Sequence, residues 1–248
     1  MKLKITYLLL FLIAIGCKNE DELSYKPIHF KSDTCADCPK VAITIFDFKG
    51  DSKIARTINT NLKKEVINQL LYDDDIKASN IKEAITSFKN GFLELKKMYP
   101  DETLGWEATI KGEVVYENKD VLTIQLETYI FTGGAHGYSA TRFLNFDKKK
   151  GDHLENWQVF KDKNAFEHYA EIKFKLQEDI PQNASMNSTG FMFEGDAFYL
   201  PANIGFTEKG LQLVYNQYEV ASYADGPIVI TLPYNEIKNY LAIKIKKE

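Results

Sequence analysis

The chain has 248 residues, of which 44% are hydrophobic and 27% are charged. These fractions allow a sizeable packed core in one large domain or two small ones, and they exclude an intrinsically disordered chain. The formal net charge of −4 provides no basic stripe, so we expect no nucleic acid partner.

The N-terminus has the features of an export signal. Two lysines precede an apolar run at residues 7–15, which is too short to span a bilayer as a stable helix. Gly16 then stands directly before Cys17, an order that resembles a bacterial lipobox. Residues 1–17 are therefore interpreted as a lipoprotein signal, with Cys17 as the lipidated first residue of the mature chain. The alternative is an ordinary secretory signal with a coincidental cysteine.

Residues 18–33 are predicted to form a polar tether. Its acidic start, residues 18–22, resembles the surface-export signal of Bacteroidetes lipoproteins, and a plain spacer is the alternative. We expect a lipid-anchored protein at the outer membrane or cell surface of a Gram-negative, Bacteroidetes-like bacterium, in contact with the membrane only through its lipid. Loss of the two signal lysines would leave 29 basic against 35 acidic side chains, a net charge of −6.

Cys35 and Cys38 form a close pair that admits three interpretations. A redox pair needs its first cysteine at a helix N-terminus, whereas the β-branched run that follows, at residues 41–46, predicts a strand. A zinc site needs further soft ligands, and the sequence has no second cysteine pair. A small structural disulfide in an oxidising compartment is the favoured interpretation.

Two helices are predicted next. Residues 54–72 carry an apolar side chain at every fourth position, which places a stripe on one helix face. A second stripe starts at Asn80, has Glu83 in the capping-box position and ends before Pro100.

From residue 104 the pattern changes to period two. This alternation predicts a meander of three strands at residues 104–118, 121–131 and 139–146. The meander contains a long hairpin whose tip, at residues 132–137, is rich in glycine.

The last third alternates one helix with short strands. A third helix is expected at residues 164–179, with its inward face formed by Phe166, Ala170, Ile172, Lys173 and Leu176. The strand candidates are residues 198–200, 204–207, 211–215 and 228–233. A short closing helix is expected at residues 234–241.

The sequence contains no catalytic signature. It has no nucleophile elbow, metalloprotease helix, phosphate-binding loop or dinucleotide fingerprint, and its four histidines show no metal-ligand spacing. We therefore expect no cofactor and no metal. The absence of these signatures favours a non-enzymatic protein, and an enzyme is the alternative.

The candidate binding residues lie in two loops. Gly133, Gly134 and His136 occupy the hairpin tip, where glycines let the backbone approach a ligand closely. In the structural alternative, the glycines supply positive φ and His136 bonds to nearby backbone. Tyr218 and Tyr223 could line a recognition surface, and the alternative places them as core and corner residues of the closing sheet.

Three segments together resemble a known family: TGGAHG at residues 132–137, NWQVFKD at 156–162, and the run from FTEKG to YNEIKNYL at 206–241. They are similar to a paired bacterial extracytoplasmic domain of unknown function. That pair also resembles the lysozyme-sensing region of the RsiV anti-sigma factor and the non-catalytic N-terminal region of the PdaC peptidoglycan deacetylase. The resemblance implies an envelope module that binds a partner, and it implies no deacetylase activity.

These observations predict an α+β fold with helices packed on antiparallel sheets, in two closely packed subdomains at residues 34–147 and 148–248. The predicted function is a non-enzymatic cell-envelope lipoprotein. Its expected partner is a lysozyme-like protein or a peptidoglycan or glycan fragment. The alternative is an envelope hydrolase or deacetylase-like enzyme that uses the His136 loop with a carboxylate such as Asp147 or Glu127.

Overall fold

The computed structural model describes residues 23–33, 38–71, 77–101 and 104–245. Within these ranges the chain forms two β-sheets and four α-helices, and this confirms the predicted α+β class. The signal segment with Cys17 and the first cysteine of the pair, Cys35, lie outside these ranges. Lipidation and the disulfide therefore stay predictions. None of the helices within these ranges is long and apolar enough to cross a membrane.

The first sheet has six strands, in spatial order β1 to β6. They are β1 (Tyr25–Lys31), β2 (Lys40–Phe48), β3 (Glu107–Glu117), β4 (Val121–Phe131), β5 (Tyr138–Asp147) and β6 (Asp152–Leu154). Strands β3, β4 and β5 are the predicted meander, and the long β4–β5 hairpin is confirmed.

This sheet is antiparallel as predicted except for one parallel pair, which the sequence analysis did not predict. Strand β2 pairs with β3 in parallel, in the register Lys40 with Glu107, while the other pairs are antiparallel. The connection between β2 and β3 contains both α1 (Lys53–Leu70) and α2 (Ile81–Met98). A helical crossover of this length returns the chain in the same direction, so the two strands it joins run parallel.

Strand β1 lies inside the predicted tether of residues 18–33 and corrects that prediction. It pairs with β2 along its whole length, and the Tyr25 ring packs against Phe46 and Phe48 at centroid distances of 4.9 and 4.8 Å. Its sequence is half polar and includes Pro27, a residue that a strand tolerates at the edge of a sheet. The edge position explains why the segment has no clear strand pattern.

The two crossover helices begin where the caps predict. The Ser52 side chain accepts a hydrogen bond from the Ala55 amide at the start of α1, and the Asn80 side chain accepts one from the Glu83 amide at the start of α2. Glu83 accepts its backbone hydrogen bond from Ser79, one residue before the cap. The apolar stripes of both helices cover one face of the sheet.

The second sheet has three antiparallel strands, β7 (Asn203–Thr207), β8 (Gly210–Tyr215) and β9 (Ile228–Leu232). It shares a core with α3 (Lys163–Gln177), while α4 (Tyr234–Ile237) is half as long as predicted. The segment at residues 198–200 forms no strand, which corrects that prediction.

Only some of the α3 residues that were predicted to lie near one face are buried. Phe166 and Ala170 are buried, but Ile172 and Leu176 are 37% and 60% exposed. Phe174 is fully buried instead, edge-on to Phe191, Phe193, Phe198 and Tyr215. These aromatic partners come from a distant loop and from the end of β8, so helical periodicity alone could not identify the buried face.

The boundary between subdomains lies later than residue 147, because β6 extends the first sheet to Leu154. The second sheet packs against the outer face of the first, the face opposite the helices. There Thr123 donates to Asn145 at 2.8 Å, and Asn145 donates to the Ile204 carbonyl at 2.7 Å. These bonds are buried, and the packing of two closely joined subdomains is confirmed. Both cores are composed of residues between Leu23 and Ile245.

Candidate functional site

The tip of the β4–β5 hairpin has the backbone that its glycines predict. Gly133 and Gly134 adopt φ angles of +104° and +87°, which L side chains rarely adopt. Gly137 lies against Tyr129, since a Cβ atom at Gly137 would stand 2.5 Å from that ring. A larger residue at Gly137 would therefore push the tip away from β4.

His136 is exposed at this tip and stacks on Tyr223, with ring centroids 3.7 Å apart and planes 20° apart. Its Nδ1 atom lies 3.2 Å from the Gly137 carbonyl, and its Nε2 atom lies 3.3 Å from the Tyr218 hydroxyl. Both contacts are satisfied by the neutral Nδ1–H tautomer, in which Nδ1 donates and Nε2 accepts. The imidazole is therefore fixed by one backbone and one side-chain partner.

His136, Tyr218 and Tyr223 are called the aromatic cluster below. The three rings come from both subdomains, because 82 residues separate His136 from Tyr218. The Tyr223 hydroxyl adds a hydrogen bond of 3.2 Å to the Gly137 carbonyl. The structure thus brings together three of the five predicted binding residues, His136, Tyr218 and Tyr223. The other two, Gly133 and Gly134, shape the loop that carries His136.

Tyr218 has an unusual backbone. Its φ angle is +67°, a region that bulky residues rarely occupy, and its side chain is 57% exposed. The neighbouring Gln217 has a buried Oε1 atom without a hydrogen-bond partner among the described residues. Strained backbone and unsatisfied polar atoms are frequent at functional sites, and both features occur here beside the exposed Tyr218 ring.

Asn216 joins this loop to the first sheet. Its side chain accepts from the Thr141 amide at 2.8 Å and donates to the Thr141 carbonyl at 3.1 Å, so it pairs with the edge of β5 as a strand would. The backbone amide of Asn216 in turn donates to the Glu219 carboxylate at 2.9 Å. Loss of the Asn216 side chain would release the loop from β5.

Glu219 is a site residue that sequence analysis missed. Burial raises the pKa of its carboxyl group, and hydrogen bonds from the amides of Asn216 and Ala202 oppose that rise. Burial and the nearby Glu219 charge raise the pKa of Tyr138. A single glutamate within a turn-rich segment carries no sequence signal for this environment.

A cleft of about 360 Å³ lies on the outer face of the first sheet, beside the loop that carries Asn216. Its lining combines hydroxyl and amide groups with two charged side chains, one tyrosine ring, one alanine and one proline: Thr109, Lys111, Glu127, Thr128, Tyr129, Ser139, Ala140, Thr141, Asn216 and Pro227. Because Tyr129 lies against Gly137 and Gly137 bonds to Tyr223, the cleft and the aromatic cluster are adjacent.

Neither of the two carboxylates considered for an enzyme forms a hydrogen bond to His136. Asp147 pairs with Val121 at the opposite end of the hairpin, about 30 Å from the tip at roughly 3.4 Å per residue. Its carboxylate accepts from the Lys149 and Lys150 amides. Glu127 accepts from Gln125 and lines the cleft on the outer face of the sheet. A His136–Asp147 pair is therefore wrong, and the hydrogen bonds of His136 go to Gly137 and Tyr218.

No three His, Cys, Asp or Glu side chains converge to hold a metal ion within residues 23–33, 38–71, 77–101 and 104–245. Cys38 lies two residues before β2, and its predicted partner Cys35 is outside these ranges.

Two solved structures share this fold. A DUF3298 family member from Bacteroides fragilis is 21% identical, covers 91% of this chain and 96% of its own, and superposes with a TM-score of 0.72. A DUF3298 family protein from Pseudomonas aeruginosa is 19% identical, with coverages of 89% and 95% and a TM-score of 0.66. At these identities the likeness concerns the fold alone. No curated protein matches the chain.

Two family models match successive segments of the chain. Residues 32–139 match the model described as Deacetylase PdaC, and residues 157–235 match a protein of unknown function, DUF3298. The first segment contains His136, and the second contains Tyr218 and Tyr223. The chain thus has one segment that resembles PdaC and one that resembles DUF3298, and the aromatic cluster is formed where the two segments meet.

Proposed function

We propose that this protein is a non-enzymatic binding module of the cell envelope, anchored by lipid at Cys17. The observation that carries the proposal is the aromatic cluster, in which exposed His136 and Tyr218 are held by Tyr223 beside a cleft that has both polar and apolar groups. Preformed aromatic surfaces with a few fixed polar groups favour binding, because little conformational entropy is lost on contact.

The position of the cluster supports an outward-facing role. Strand β1 begins opposite Phe48, at the end of the sheet away from the hairpin tip. The 11 residues of β4 span about 35 Å. A lipid at Cys17, six residues before Leu23, would therefore hold the opposite end near the membrane and direct the cluster away from it.

A glycan of the peptidoglycan type is the ligand that the cleft favours. The threonine, serine and asparagine side chains of the cleft can donate hydrogen bonds to sugar hydroxyl and acetamido groups and can accept hydrogen bonds from them. The Tyr129 ring, 38% exposed, provides a flat apolar face for a sugar ring. A cleft of about 360 Å³ is at the lower end of the range for small-molecule sites.

A lysozyme-like protein is the second candidate, favoured by charge. The predicted mature chain has a net charge of −6, and lysozymes are basic. Charge complementarity of this kind accelerates association and weakens as salt screens it. The cluster would then act as the aromatic anchor of a protein interface.

Calorimetric titration of the soluble chain from Lys18 tests the proposal, since both cores lie between Leu23 and Ile245. The probes are a muropeptide digest and a c-type lysozyme, each at low and moderate salt. We expect saturable binding of one probe, and at least a tenfold loss in the Tyr218→Ala/Tyr223→Ala variant. The matched control is Trp157→Ala, which removes a ring that is 65% exposed and lines none of the recesses near the cluster. Equal affinity in the cluster variant would refute the proposed site, and no heat with either probe would refute both partners.

A further inference from the structure

A second recess, of about 180 Å³, lies at the free edge of β5, between α1 and β7. Its charged and amide side chains are Glu65 and Gln69 of α1, Arg142 of β5 and Asn203 of β7. Thr128, Ala140, Thr141 and Asn216 line both this recess and the outer cleft, so the two are adjacent along the same β5 edge. Among the side chains that line the recess is the guanidinium of Arg142.

Arg142 is held in place by Glu65, and only part of its guanidinium has a partner. Its Nε atom lies 2.8 Å from Glu65 Oε1, and the Glu65 side chain is only 11% exposed. Gln69 donates to the same Glu65 oxygen at 3.2 Å, which holds the carboxylate in place. Across the part of the chain that the structure describes, the guanidinium has no other hydrogen-bond acceptor. Its remaining N–H groups are available to a ligand.

Asn203 contributes an amide to the wall of the recess. The residue is only 6% exposed, and its side-chain amide makes no hydrogen bond to any residue in the described ranges. Its polar atoms stay open to the recess, because they are not among the buried atoms that lack a partner. The amide can therefore donate to or accept from a group bound beside Arg142.

We propose that this recess binds a carboxylate, held by the Arg142 guanidinium and the Asn203 amide. The planar guanidinium matches the two oxygens of a carboxylate. Glu65 offsets the charge of Arg142, so a monoanion fits better than a doubly charged phosphate. The volume of about 180 Å³ leaves room for a carboxylate with a small group attached to it.

The carboxylate could belong to a peptide C-terminus or to a sugar acid, and matched probes separate the two. N-acetylalanine is compared with its amide, and glucuronate is compared with glucose. Inorganic phosphate serves as a third anion. The proposal does not depend on the function proposed above, because these probes are neither lysozyme nor a wall digest.

The test is a transverse-relaxation-optimised NMR titration of the full ¹⁵N-labelled chain in detergent micelles. We expect saturable shifts of the amides around Arg142 and Asn203 at millimolar carboxylate, and shifts at least tenfold weaker with the uncharged analogues and with phosphate. Arg142→Lys keeps the charge beside Glu65 but lacks the planar fork, so it should weaken binding at least tenfold. Asn203→Ala should also weaken it, whereas Glu65→Gln should maintain or strengthen it.

Arg56→Gln is the matched control, because Arg56 is an exposed arginine of α1 that does not line the recess. It should bind as the parent chain does. The proposal is overturned if no saturable shift occurs, if N-acetylalanine amide binds equally well, or if Arg142→Lys binds with unchanged affinity.

Discussion

The contact between Gly205 and Phe143 joins the two sheets, and the Gly205→Ala substitution tests it. A Cβ atom at Gly205 would lie 2.2 Å from Cγ of Phe143, where ordinary contact begins at 3.4 Å. The ring must therefore move by about 1.2 Å. Phe143 is only 7% exposed, so it has little room to do so.

Gly205 has no positive φ angle, so alanine fits its backbone and the cost is steric. Overpacking a well-filled core costs about 1–3 kcal/mol, and the closeness of this contact places the expected loss at about 2–3 kcal/mol. For a chain of this size, the midpoint of thermal unfolding should fall by about 5–10 °C.

Chemical denaturation followed by circular dichroism measures this loss. Gly105→Ala is the control, because the new methyl group would meet nothing within 4 Å. It should change the free energy of unfolding by less than about 0.5 kcal/mol. Adding Phe143→Leu to Gly205→Ala should restore at least about 1 kcal/mol relative to additivity. A Gly205→Ala protein as stable as the parent chain would refute the described sheet packing.

Three further substitutions probe the caps, the acid and the strained tyrosine. Asn80→Ala should cost about 1 kcal/mol through loss of the α2 cap, while Asn90→Ala, exposed within the same helix, should cost nothing, as measured by urea denaturation. Glu219 has a raised pKa in the folded state, so the native chain holds more protons and its stability falls as pH rises above about 4.5. Glu219→Gln should remove that fall in denaturation measured between pH 4 and 8. Tyr218→Asn should raise stability by about 1 kcal/mol, because asparagine tolerates positive φ, while ligand affinity in calorimetric titration decreases.

Each of these outcomes can fail in a definite way. Equal losses at Asn80 and Asn90 would mean that the cap contributes no stability. An unchanged pH profile in Glu219→Gln would assign the pH dependence to other groups. A loss of stability in Tyr218→Asn would show that the ring contributes more than the strain removes.

The sequence was sufficient to predict the elements that are determined by residues close together in the chain. The stripes of α1 and α2, the Asn80 cap and the alternation of β3, β4 and β5 all depend on neighbours in the chain, and all are confirmed. Positive φ at Gly133 and Gly134 followed from the residue type.

Non-local features could not be predicted from such patterns. Strand β1 exists because it adds to the edge of β2, and Phe174 is buried because loops close over it. His136, Tyr218 and Tyr223 were each identified as candidates. That they would stack on one another depends on how the two sheets pack, and no spacing in the sequence encodes it. Glu219 and Asn203 are identified as site residues by their burial in the folded chain, which the sequence around them does not indicate.

The most direct test of the proposed function is to map where a partner binds. The ¹⁵N-labelled chain from Lys18 would be titrated with the probe that calorimetry shows to bind, and the amide shifts would be assigned. We predict that the largest shifts occur at the hairpin tip around His136 and in the loop around Tyr218 and Tyr223. Shifts confined to the exposed apolar residues of the second subdomain, Ile172, Leu176 and Val229, would contradict the assignment of the aromatic cluster as the binding site.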